Sequence, residues 1–164
     1  MEKEIKEWSF VFFDMGFKES ARRVRLNRNL RRVGATIHSQ SVYCMPYSAG
    51  SFSSLKSLDK NIFVVKADVP DDEVEELVEA YNVFISAVME EVNTKLEELE
   101  DAKASAVDIK SKRGYTKRLN KMYERVEHLE YIATLGQNIA VIDKVEEFKR
   151  QIVEIDDGHP GKLI

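Results

Sequence analysis

Between Val74 and Leu99 the apolar residues return at steps of three and four, with no glycine or proline among them: Val74, Leu77, Val78, Tyr81, Phe84, Ile85, Val88, Val92, Leu96 and Leu99. That spacing is the helical period, and it gathers these side chains on one stripe of a long amphipathic helix. Pro70-Asp71-Asp72-Glu73 supplies a start, since proline suits the first turn and carboxylates favour the positive end of the helix dipole. Carried to about Lys103, the helix spans roughly 50 Å at about 1.5 Å per residue, longer than a small sheet is wide. A stripe of that length needs a partner. After a polar connection rich in Ala, Ser, Asp and Lys that runs to Gly114, a second pattern follows at Leu119, Met122, Val126, Leu129 and Ala133. After a break near Gly136 comes a third, at Val141, Val145, Phe148, Ile152 and Ile155. The three stripes predict an antiparallel helical hairpin or a helix-mediated dimer.

The first 69 residues follow a different grammar. Trp8-Ser9-Phe10-Val11-Phe12-Phe13 is short and dominated by aromatic and β-branched residues, as a strand is, and is apolar on both faces. Residues from about Lys18 to Val33 lack Gly and Pro and predict a helix that stops before Gly34, with Leu26, Leu30 and Val33 on its packing face. Residues 35–45 predict one long bent strand or a hairpin pinched near Ser39 to Ser41 and stopped by Pro46. A short helix over about Ser51 to Leu58 and a strand over Asn61 to Ala67 complete the order. The expected fold class is α+β: a ferredoxin-like β-α-β-(β)-α-β module over residues 1–69, then an antiparallel extension of long helices over residues 70–164.

Charge divides the chain at the same place. Residues 1–69 carry 12 Lys/Arg against 7 Asp/Glu, whereas residues 70–164 carry 13 against 22, so a basic front precedes an acidic back. Six arginines fall within Arg22 to Arg32. On a helix, Lys18, Arg25, Arg28 and Arg32 cluster opposite the packing face, with Arg22 at the margin. Arginine's planar fork suits phosphate, so this stripe is the candidate nucleic-acid contact surface. Pairing of the same arginines with the chain's own acids is the alternative use. A second basic cluster, Lys110, Lys112, Arg113, Lys117, Arg118, Lys121 and Arg125, either extends such a surface or neutralises the neighbouring acidic helix.

Other chemistry is thinly represented. Asp14 ends the first strand, where a carboxylate either holds Mg²⁺ or forms a turn. His38, His128 and His159 are scattered, and Glu124 with His128 is spaced as a surface pair. Tyr43, Tyr47 and Phe52 are either core residues or a base-stacking set. Cys44 is the only cysteine, which excludes an internal disulfide and any multi-cysteine zinc site. The charged start and the lack of an apolar tract of about 18 residues point to a cytoplasmic protein without membrane contact.

Three segments together resemble a known family: the strand Phe10 to Phe13, the helix and cap Arg23-Val24-Arg25-Leu26-Asn27-Arg28-Asn29-Leu30-Arg31-Arg32-Val33-Gly34-Ala35, and Gln40-Ser41-Val42-Tyr43-Cys44-Met45-Pro46. They are similar to the amino-terminal domain of the chromate-resistance regulatory protein ChrB, a likeness that extends more loosely through Asp71 to Leu99 and Arg118 to Leu135. More remotely they resemble the small ferredoxin-like CRISPR-associated integration subunit and the corresponding module of phenylacetate-type repressors. In the CRISPR-associated family a strand-ending acid is the proposed metal ligand, a position Asp14 holds here, although the long helical half sets this chain apart. The leading expectation is a non-enzymatic, homo-oligomeric, nucleic-acid-associated or regulatory module with no cofactor and no small-molecule substrate identified from the sequence. The alternatives are a Mg²⁺-dependent nuclease centred on Asp14 and a protein-interaction scaffold built on the long helices.

Overall fold

A computed structural model of the chain describes residues 5–13, 20–39, 41–105 and 109–157. The elements run β1 (Glu7–Phe13), α1 (Ser20–Val33), β2 (Thr36–Ser39), β3 (Val42–Pro46), α2 (Ala49–Lys56), β4 (Ile62–Asp68), α3 (Asp71–Ser105), α4 (Ile109–Leu135) and α5 (Ile139–Asp157). The four strands form one sheet in the order β2-β3-β1-β4, antiparallel throughout. β1 is central, with Val11 opposite Tyr43 on one side and Val64 on the other. This is the ferredoxin-like arrangement expected from the element order, followed by the expected long helices. The hairpin alternative holds for residues 36–46, with a register irregularity between Ile37 and Ser39.

Compact packing divides the chain into residues 1–84 and 85–164, so the division falls inside α3, whereas the change in sequence grammar falls at Val69. In the first unit, alternation along β1 sends Ser9, Val11 and Phe13 to one face and Trp8, Phe10 and Phe12 to the other. The first face meets α1 and α2: Tyr43 lies against Phe13 and donates from Oη to Asn27 Oδ1 at 2.9 Å, and Tyr47 meets Phe52 of α2 edge to face. On the second face Trp8, fully buried, stands edge-on to Tyr81 of α3 with ring centroids 6.0 Å apart. Tyr81 Oη donates to the Gly34 carbonyl at 2.7 Å, so the beginning of α3 is tied to the end of α1. Gly34 itself sits at φ 112°, a region open to glycine because it lacks Cβ, and both its N–H and that of Ala35 close the helix onto the Leu30 carbonyl.

In the second unit the predicted stripes are buried almost residue for residue. Ile85, Val88, Val92, Leu96 and Leu99 of α3, Leu119, Met122, Val126, Leu129 and Ala133 of α4, and Val141, Val145, Phe148, Ile152 and Ile155 of α5 are all core. Ile132 joins them. The ion pairs Arg125–Glu91 and Lys149–Glu130 match residues before and after each turn, as antiparallel neighbours require. Between α4 and α5 the chain turns on Gln137 at φ 53°, and Asn138 Oδ1 accepts from the Val141 N–H at 3.1 Å as the cap of α5.

One boundary differs from the sequence reading. The polar connection expected to reach Gly114 is shorter, because α4 already begins at Ile109 and runs through that glycine. Gly114 is exposed, and a Cβ added there meets nothing within 4 Å. Gly114→Ala is therefore expected to stabilise the chain by about 0.5–1 kcal/mol, read as a shift of the urea midpoint at unchanged slope.

Candidate nucleic-acid interface

Helix α1 has a mean composition far more polar than an ordinary packing helix, and it holds to the sheet through Leu26 and Leu30, which are 3% and 0% exposed. Those two residues fix the rotation of the helix, and with it the fate of each arginine. Arg25, Arg28 and Arg32 are exposed and lie within about 60° of one another around the axis, with Arg28 opposite the buried face. Among the described residues none of these three has an acid partner.

The other members of the run are engaged. Arg22 is only partly exposed and grips Asp59, which precedes β4, through two hydrogen bonds: Nε to Oδ2 at 2.9 Å and Nη2 to Oδ1. The guanidinium, aided by the Asn61 backbone N–H at 2.8 Å from Oδ1, holds the Asp59 carboxyl below the usual carboxylate range. The pair's contribution to stability is thus present above the ordinary carboxylate pKa and fades as pH falls through the lowered one. Arg31 places its guanidinium 5.9 Å from the centre of the Phe84 ring. Lys18 and Asp14 lie outside the described residues, so the stripe is described from Arg22 onward.

Beside the Arg22–Asp59 pair is a shallow hollow of about 170 Å³ lined by Arg22, Arg25, Leu26, Asn29, Leu58 and Asp59. Because Arg22 already neutralises Asp59, the hollow offers Arg25 and the Asn29 amide to a ligand. Its chemistry is that of an anion contact.

Of the aromatic residues considered for stacking, Tyr43 belongs to the core, whereas Tyr47 and Phe52 are half-buried and engaged with each other. Tyr43 is buried, and burial raises its hydroxyl above the ordinary tyrosine pKa. Tyr47 and Phe52 pack on each other, with Lys66 Nζ 4.5 Å from the Tyr47 ring centre and Lys56 Nζ 5.0 Å from that of Phe52. Among the described residues the exposed aromatics are Tyr131 of α4 at 38%, Phe12 at 42% and Phe63 at 67%, the last two directly opposite each other in the β1–β4 register. Strand alternation contained that signal, but the uniformly apolar stretch Phe10 to Phe13 concealed which ring would stay outside.

No group of three or more His, Cys, Asp or Glu side chains that could hold a metal ion occurs among the described residues. Glu124 and His128 stay on α4, where His128 lies beside Tyr131; His38 is exposed on β2, and His159 falls outside the described residues. Cys44 is 1% exposed, and burial pushes its thiol up to about 12. A thiol that ionises at about 8.5 in the unfolded chain and near 12 in the folded one favours unfolding progressively as pH rises above about 8.5, by up to about 1.4 kcal/mol per pH unit. Native Cys44 should accordingly resist Ellman's reagent at pH 8 and react on addition of denaturant.

No helix among the described residues is long and apolar enough to cross a membrane. Comparison with protein-family models, with curated proteins and with solved structures finds no match to this chain.

Proposed function

We propose that the chain is a non-enzymatic, nucleic-acid-associated module that holds a phosphate backbone on the outer face of α1. The observation that carries this reading is the trio Arg25, Arg28 and Arg32: exposed, on one sector of the helix, and without an acid partner among the described residues. Three like charges held in one sector repel one another and gain from an anion that bridges them. Arg22 has a separate part, fastening α1 to the start of β4 and so fixing the orientation of the stripe. The resemblance of Arg23 to Ala35 and Gln40 to Pro46 to families of nucleic-acid biology supports the same assignment.

The test is fluorescence anisotropy with a labelled duplex at several salt concentrations, on the parent and on Arg25→Glu/Arg28→Glu/Arg32→Glu. The parent is expected to bind at low salt and the variant to bind at least about a hundredfold more weakly, since three charge-assisted contacts become repulsions. Equal binding by the two, or no binding by the parent at low salt, overturns the proposal.

A further inference from the structure

The acidic second half contains one place where the sign of charge reverses. Between α3 and α4 of the C-terminal unit lies a cleft of about 440 Å³ lined by Lys95, Glu98, Leu99, Arg118, Lys121, Met122 and Arg125. Four of these seven residues are cations and one is an acid. From the geometry we infer that this cleft is a binding site for a phosphate ester of nucleotide size, separate from the arginine face of α1.

Helical spacing builds the site. Arg118, Lys121 and Arg125 follow one another at three and four residues along one side of α4, about 10 Å from first to last, while Lys95 faces them from α3. Like charges so close on a helix are mutually unfavourable, and the available acids relieve them incompletely. Lys95 reaches Glu98 at 3.4 Å and Arg125 reaches Glu91 at 3.5 Å, long and exposed pairs of the kind that contributes little and yields readily to a competing anion. Neither Arg118 nor Lys121 has an acid partner among the described residues. The cleft ends on packed core, since Leu99 and Met122 beneath it are each 3% exposed, and its accessible apolar surface is that of the methylene stems of the rim lysines and arginines.

This combination fixes the ligand class. Charge alone would take any multivalent anion, but a cleft whose walls also present methylene stems and whose volume is in the range of about 300–1,000 Å³ of small-molecule sites fits an anion that carries an uncharged body. A phosphate ester with a flat or apolar organic part meets both requirements, the phosphates on Arg118, Lys121 and Arg125 and the body along the methylene stems that wall the cleft.

Isothermal titration with ADP, pyrophosphate and adenosine, each without added metal, tests the assignment on the full chain. ADP is expected to bind, with pyrophosphate and adenosine each at least tenfold weaker. Arg118→Gln/Lys121→Gln, a change at two rim positions that leaves Leu99 and Met122 in place, should weaken ADP at least tenfold and leave duplex DNA binding unchanged. Arg25→Glu/Arg28→Glu/Arg32→Glu should do the reverse, which keeps this site's failure distinct from that of the α1 face. The proposal is overturned if the parent does not bind ADP, if the Gln variant binds it as tightly, if pyrophosphate equals ADP, or if duplex binding falls with the Gln variant.

Discussion

Duplex binding by the parent should fall with salt at a slope of about −2.7 in log K against log salt, at about −0.9 for each of three phosphate contacts, and Arg25→Gln/Arg28→Gln/Arg32→Gln should flatten it towards zero. Between 50 and 200 mM salt the parent then loses about 40-fold in affinity and the variant almost nothing. Glutamine is the informative replacement here because it keeps a long polar side chain and removes only the charge. Single substitutions should each lower the slope by about 0.9, because each arginine meets its own phosphate on an exposed helix face. A parent slope near zero, or one that the triple variant retains, would show that α1 does not carry the contact. Arg22→Gln should behave differently: its charge is already spent on Asp59, so thermal stability should drop while the slope remains. Loss of that bidentate, part-buried pair is expected to cost about 1.5–3 kcal/mol.

The largest effect on stability is expected at Trp8. It is fully buried, stands edge-on to Tyr81, and donates from Nε1 to the Ile5 carbonyl at 2.8 Å. Trp8→Ala leaves a cavity between the sheet's second face and Tyr81 of α3 and should cost about 3–5 kcal/mol. Against a typical total of about 5–15 kcal/mol, that is a large fraction of the stability of a domain. Trp8→Phe retains most of the volume, loses the hydrogen bond, and should cost about half as much. Urea unfolding must be followed by far-UV circular dichroism, because Trp8 is the only tryptophan and its replacement removes the fluorescence signal. A cost below about 1 kcal/mol for Trp8→Ala would mean that the second face of the sheet is not packed as described.

The helical half was readable because its information is local. Val92, Leu96 and Leu99, or Val145, Phe148 and Ile152, announce their burial by spacing alone, and the structure buries each of them. Gly114 shows the limit of local reading: in the sequence the glycine marks the end of a connection, yet the surrounding turns are helical enough to carry about 1 kcal/mol of unfavourable propensity. The sheet module was readable as an order of elements, and Gly34 was placed by its backbone requirement. The arginine run was readable only as a stripe. Helical geometry separates Arg25, Arg28 and Arg32 from Leu26 and Leu30, but nothing near Arg22 in the sequence reveals that Asp59, 37 positions away, will take it. Nor does anything reveal that Phe84 will lie under Arg31. Partner choice across the fold is a tertiary fact, and the pairing of Phe12 with Phe63 was hidden for the same reason.

The central place of β1 also sets the order in which this chain can mature. Trp8-Ser9-Phe10-Val11-Phe12-Phe13 is synthesised before the strands it pairs with, carries no charge, and is rich in β-forming side chains, the composition that promotes intermolecular strand pairing. Its neighbours come late: Phe10 waits for Cys44 on one side and for Val65 on the other. The helices of the second half close over much shorter separations, with Glu130 and Lys149 only 19 positions apart. Local contacts form faster than distant ones, so when the whole chain refolds from denaturant the helical half can condense while the sheet is still closing. The same side chains that anchor the finished module therefore leave the nascent chain exposed to misassembly, and rapid synthesis through Asp68 shortens that interval.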